Sequence, residues 1–168
     1  AVDAVTCREK REYPSKGRCK VALLDFGAKE NIIRCLNERG CDVTSYPAET
    51  PAEVLLADKP DGIMLSNGPG DPQENTAVIR EIKKLVASQV PMFGICLGHQ
   101  LLALANGGKT VKLKYGHRGG NQPVKDSVTG RVYITCQNHG YCVDSQTLDE
   151  EIAKVRFANA NDGTCEGV

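Results

Sequence analysis

Five residues, Gly94-Ile95-Cys96-Leu97-Gly98, put a cysteine between two glycines where a short apolar run meets a helix-like stretch. This is the spacing of a nucleophile elbow, in which a sharp strand-to-helix turn holds the middle residue in a strained conformation. The glycines two before and two after leave room for the bend and for a substrate. A thiol at that point faces the N-terminus of the next helix, whose open N–H groups and dipole favour a thiolate. The Leu97 N–H is then positioned to meet a developing oxyanion. A buried cysteine beside tightly packed glycines explains the pentapeptide equally well, so the surroundings must decide. Two other segments carry polar groups on small-residue loops. Ser66-Asn67-Gly68-Pro69-Gly70-Asp71-Pro72 has the rigid, side-chain-poor backbone that presents N–H groups to a ligand, without the lysine of a Walker phosphate loop. Gln137-Asn138-His139-Gly140-Tyr141 has the groups to bind an amide or a carboxylate. Each, taken alone, is also an ordinary turn. None of His99, His117 and His139 is a convincing base for Cys96 from spacing.

The elements that must position these residues follow from the hydropathy pattern. Residues 1–19 are polar and basic and read as a linker or tail. From residue 20 to 108 strands and helices alternate four times. The strands are "CKVALLDFG", "CDVTSYP", "DGIMLSNGPGDP" and "VPMFGICLG". The helices are "KENIIRCLNERG", "PAEVLLADKP", "ENTAVIREIKKLVASQ" and "HQLLALANGG". Near-continuous apolar strands with short connections indicate a parallel sheet covered on both faces. Ligands bind such sheets at the carboxyl ends of the strands, where "SNGPGDP" and "GICLG" both fall. Beyond Lys109 the pattern turns to shorter, partly antiparallel strands, with a turn at Thr129-Gly130 and one more strand near 154–158. The expected fold is therefore α/β, a flavodoxin-like three-layer α/β/α arrangement with a mostly parallel central sheet and a small antiparallel extension. A linker at 1–19 and one domain at 20–168 complete this organisation.

Bulk properties narrow the function classes. Lys plus Arg and Asp plus Glu both number 21, so the formal net charge is zero and gives no electrostatic case for nucleic acid or an anionic membrane. No apolar run approaches the ~20 residues of a membrane span. The eight cysteines include no C-x-x-C pair and no Cys/His set at zinc-ligand spacing, so reduced thiols in a cytoplasmic or organelle-matrix protein are expected.

Taken together, the segments resemble the class I glutamine amidotransferase family. More narrowly, "LDFGAKENIIRCL", "LSNGPGDP", "FGICLGHQLLALANGGKTVKLKYGHRGGNQPV" and "QNHGY" resemble the glutaminase domain of carbamoyl-phosphate synthetase small subunits, over essentially residues 20–168. The resemblance implies that Cys96 attacks the side-chain amide of L-glutamine, releasing ammonia and leaving a γ-glutamyl thioester that water hydrolyses. It implies an oxyanion hole from the backbone N–H groups of Leu97 and Gly70. It implies glutamine contacts from Gly68, Gly70, Leu97, Gln100, Asn138, Gly140 and Tyr141, the last replacing a commoner phenylalanine. The partner implied is a large ATP-dependent carbamoyl-phosphate synthetase subunit or domain, serving pyrimidine and arginine biosynthesis. ATP and a divalent metal are expected on that partner, and no cofactor or metal in this domain. The family's histidine base and glutamate lie in a His-Pro-Glu segment that does not occur among these residues. They are expected beyond Val168, so the chain reads as a fragment, nearly inactive alone. A glutaminase subunit of another synthase, such as anthranilate synthase, and a non-catalytic regulatory homologue are the alternatives.

Overall fold

A computed structural model describes residues 1–168, which form two compact units, Ala1–Ala105 and Asn106–Val168. Nine strands and four helices of α type follow in chain order. The first unit holds β1 (Arg11–Tyr13), β2 (Cys19–Asp25), α1 (Glu30–Glu38), β3 (Cys41–Pro47), α2 (Ala52–Ala57), β4 (Gly62–Leu65), α3 (Thr76–Ala87), β5 (Met92–Gly94) and α4 (Leu97–Ala105). The second holds β6 (Lys109–Asp126), β7 (Val132–Asp144), β8 (Phe157–Asn159) and β9 (Cys165–Gly167). No helix is long and apolar enough to cross a membrane.

In the first unit the sheet order is β1-β3-β2-β4-β5, with β3, β2, β4 and β5 parallel. The period-2 alternation of a strand sends its neighbours to opposite faces, and both faces are apolar here. Ala22, Leu24, Ile63 and Leu65 face one layer, packed with Leu55 of α2, Val78, Ile82 and Leu85 of α3, and Leu97 and Leu101 of α4. Leu23, Val43 and Met64 face the other, covered by Ile32, Ile33 and Leu36 of α1. This is the three-layer arrangement expected from the sequence. The topological switch falls between β2 and β4, whose connections run in opposite directions across the sheet.

The first nineteen residues differ from the linker or tail expected of them. β1 pairs antiparallel with β3, Arg11 opposite Ser45 and Tyr13 opposite Val43. Val2 is buried in the larger core, and the Cys7 N–H donates to Asp25 Oδ2 at 2.8 Å. Three residues of strand carry too little periodicity to stand out from a basic segment. Another difference is the start of α4, which begins at Leu97 rather than at His99 and stops before Gly107, a glycine at φ +89°.

In the second unit the strands close on themselves in the order β6-β7-β9-β8, each neighbouring pair antiparallel. β6 and β7 form a long hairpin whose turn follows the Thr129-Gly130 signal, with Gly130 at φ +71° donating its N–H to the Asp126 carbonyl at 2.8 Å. The pairing is interrupted by register shifts between Lys112 and His117 and between Gly119 and Gln122.

Candidate functional site

Cys96 has φ +54°, one of four non-glycine residues with positive φ. An L-residue in that region costs on the order of 1–3 kcal/mol and is retained only where its surroundings over-determine it. The surroundings are its two glycines. A Cβ on Gly94 would lie 2.6 Å from both the Gly98 carbonyl carbon and the His99 nitrogen, and one on Gly98 would lie 2.2 Å from the Leu65 carbonyl oxygen. Strand end and helix start are thus pressed together with no space for a side chain. α4 begins immediately after, the Gln100 N–H bonding to the Cys96 carbonyl at 3.1 Å. Leu97, the first helical residue, has no intrahelical partner for its N–H.

The Ser66–Pro72 loop lies against this elbow. The Gly98 N–H donates to the Ser66 carbonyl at 3.0 Å, and the Ile95 N–H to the Leu65 carbonyl at 3.0 Å. Gly68 is locked between Phe26 and Leu97, since an added Cβ would stand 2.3 Å from the Phe26 carbonyl oxygen and 2.8 Å from Leu97 Cδ2. Gly70, at φ +95°, turns the loop where another residue type would be strained. The loop is also tied to the end of β2. Ser66 Oγ accepts the Phe26 N–H at 2.8 Å, while Asn67 accepts the Lys29 N–H and donates to the Gly27 carbonyl, each at 3.0 Å. Ser66 is fully buried, and its hydroxyl and carbonyl connect the β2, β4 and β5 loops in one node.

The described residues 22–168 match the model of the family "glutamine amidotransferase class-I". The chain belongs to the class-I glutamine amidotransferase family. It is 52% identical, over all 168 residues, to the carbamoyl phosphate synthase small chain of Clostridium perfringens, of which it covers 47%. It is 52% identical over 160 residues to that of Bacillus anthracis, covering 95% of this chain and 44% of that one. The chain therefore spans less than half the length of these curated relatives. Among solved structures, a glutamine amidotransferase from Thermotoga maritima superposes with a TM-score of 0.67 at 16% identity, over 89% of this chain and 73% of that one. That likeness supports the shared fold.

Of the residues marked by the sequence, the first unit brings Gly68, Leu97 and Cys96 into one packed group, with Gly70 two residues along the loop. Gln100 follows on the first turn of α4 and is 6% exposed. Asn138, Gly140 and Tyr141 lie in the second unit, consecutive on β7 around His139. There Gly116, at φ +70°, allows β6 to touch β7: a Cβ at that position would lie 2.6 Å from the His139 carbonyl oxygen.

His117 and His139 stand directly opposite each other in the β6–β7 register, rings 5.0 Å apart and perpendicular. His117 bonds Glu166 Oε1 through Nδ1 at 2.9 Å and Asp162 Oδ2 through Nε2 at 2.8 Å. His139 bonds the Tyr141 carbonyl through Nδ1 at 2.8 Å, and Glu166 Oε2 at 3.0 Å and Gln137 Oε1 at 3.1 Å through Nε2. The Glu166 carboxylate raises the His139 imidazole above its ordinary value against the opposing effect of burial. All four ring nitrogens are thus engaged by oxygens within this cluster. Burial pushes the Cys142 and Cys165 thiols up to about 11, which fits small core residues rather than nucleophiles. Ser66 was marked only as part of its loop, with no role of its own, and Glu166 was not marked by the sequence. A serine before Asn-Gly-Pro-Gly offered a signal for the first. Nothing local to "DGTCEGV" marked the second, which acquires its partners through strand pairing.

Proposed function

We propose that this chain is the glutaminase portion of a carbamoyl phosphate synthase small chain, hydrolysing L-glutamine through Cys96 to supply ammonia to a large ATP-dependent synthetase. The observation that carries the reading is Cys96 at φ +54° between two glycines that admit no side chain. The names and identities of the relatives, both carbamoyl phosphate synthase small chains at 52%, favour this product over other amidotransferase pathways. In the proposed reaction the Cys96 sulfur adds to the glutamine Cδ. The oxyanion is received by the N–H groups of Leu97 and Gly70, the first at a helix start and the second on a turn that glycine's positive φ allows. Collapse expels ammonia and leaves the γ-glutamyl thioester, which water cleaves to glutamate. Gly68, Gln100, Asn138, Gly140 and Tyr141 are proposed to hold the glutamine.

Proton delivery to departing ammonia needs a base that becomes an acid. His117 and His139 are engaged within their own carboxylate cluster. The proposed base and its acid are the His-Pro-Glu residues implied by the family, in the part of the longer protein outside residues 1–168. The test is a glutaminase assay of the full-length small chain with its large partner. Cys96→Ser should abolish glutamine-dependent synthesis while leaving ammonia-dependent synthesis by the large chain intact. Retention of the glutamine-dependent rate would overturn the assignment. The 168-residue chain alone should hydrolyse glutamine at well under a hundredth of the full-length rate, as the loss of general acid–base catalysis (~10²–10⁴-fold) requires.

A further inference from the structure

We propose that His117, His139 and Glu166 form a divalent transition-metal site in the second unit, of the class that takes Zn²⁺. The three side chains come from three different strands, β6, β7 and β9, and their ligand atoms all lie within 4.8 Å of one another. Two of the separations, 2.9 Å from His117 Nδ1 and 3.0 Å from His139 Nε2 to the two Glu166 oxygens, are already close to the ~3.3 Å edge of a tetrahedron with bonds of about 2.0–2.1 Å. Two imidazoles and one carboxylate are a familiar ligand set for zinc, with a fourth position left for water or another oxygen. Gln137 Oε1, 3.1 Å from His139 Nε2, is in place to supply that oxygen.

The nitrogens that point away from Glu166 carry the decisive observation. Histidine ligands of metals almost always donate their other N–H to a carboxylate or a backbone carbonyl, which fixes the tautomer and turns the coordinating nitrogen inward. Both arrangements are present here. His117 Nε2 is held by Asp162 at 2.8 Å and His139 Nδ1 by the Tyr141 carbonyl at 2.8 Å. Asp162 is itself held, accepting the Thr164 N–H at 3.0 Å. The histidine and Glu166 side chains are only 9–12% exposed, so a bound ion would be largely shielded from water. Glu166 and Asp162 bring two negative charges, and the nearby Arg118 guanidinium is anchored on the Tyr115 carbonyl at 2.6 Å. An ion here would join β6, β7 and β9 at the strand that carries Asn138, Gly140 and Tyr141. The site stands on its own geometry and does not depend on the glutaminase reading.

The test uses the 168-residue chain, stripped of metal by chelator and with its thiols alkylated, titrated with Zn²⁺ against a chromophoric chelator. One equivalent should bind, at least tenfold more weakly in both Glu166→Gln and His117→Gln, and Zn²⁺ should raise the Tm of the parent but not of Glu166→Gln. Co²⁺ bound to the unalkylated chain should give d–d absorption without the near-ultraviolet thiolate charge-transfer band. Circular dichroism of the metal-free variants checks folding, and Glu166→Gln alone carries the comparison if His117→Gln is unfolded. Absence of stoichiometric binding, binding unchanged in the folded variants, or a thiolate band from the first equivalent would each overturn the proposal.

Discussion

The backbone at Cys96 is held where an L-residue costs energy, and two glycines leave it no route to relax. Replacing that cysteine separates strain from chemistry. Cys96→Gly removes the thiol and the Cβ penalty together, whereas Cys96→Ala removes only the thiol. The glycine variant should be about 1 kcal/mol more stable than the alanine variant, read by denaturant unfolding, while both lose glutaminase activity in the full-length protein. Gly98→Ala should do the reverse, keeping the thiol and losing the geometry. Its Cβ would meet the Leu65 carbonyl oxygen at 2.2 Å, so overpacking of roughly 1–3 kcal/mol is expected along with a fall in kcat. Ser66→Ala leaves the buried Phe26 N–H without its acceptor and should cost about 1–3 kcal/mol, with the loops around it loosened.

At the scale of elements, the β6–β7 hairpin is pinned at its turn by Asp126. This carboxylate, 2% exposed, accepts the Val128 N–H at 2.9 Å and the Thr129 hydroxyl at 3.0 Å, and takes a two-point contact from Arg156 at 3.2 Å. The Arg156 guanidinium foremost, with these turn donors, holds its pKa at about 2. A depressed folded pKa gives stability that is present above the unfolded value of ~3.9 and lost as pH falls through the folded one. The hairpin should therefore resist acid until the pH drops from about 4 toward 2. Arg156→Ala should shift the Asp126 titration, followed by carboxyl-carbon NMR, and the acid-unfolding midpoint upward together.

Elements differ in how far the sequence discloses them. Leu23 and Leu24 face opposite layers, and so do Met64 and its neighbours Ile63 and Leu65. Such contrast between strand and helix periods is written locally, so the parallel sheet was legible, as was the glycine-bounded cysteine. β1 was not legible, because its place depends on an edge that β3 offers. Nor was the histidine pair: from the turn, His117 and His139 come opposite each other only after the register shift between Gly119 and Gln122, which no local pattern announces.

At the scale of the whole molecule, the two edges of the first unit's sheet are unlike. One is closed by the antiparallel β1, and the other is the three-residue β5, on which Phe93 is 65% exposed. An exposed apolar edge strand is a template for pairing with another chain. The 168-residue chain should therefore self-associate at high concentration, and Phe93→Lys should lower its weight-average mass in sedimentation velocity. An equal tendency in both proteins would show that β5 is not the contact.

That asymmetry also gives the sheet a direction of growth. A further strand that pairs in parallel with a strand of the parallel set finds its berth alongside β5, because the opposite margin is the antiparallel β1. Neighbouring strands lie about 4.8 Å apart. A newcomer of matching length, paired in register at that berth, would end one strand-width from the Gly94–Cys96 turn. Whatever side chain it carried past its last residue would be delivered to the thiol by the hydrogen-bond ladder itself, with no dedicated arm to reach across.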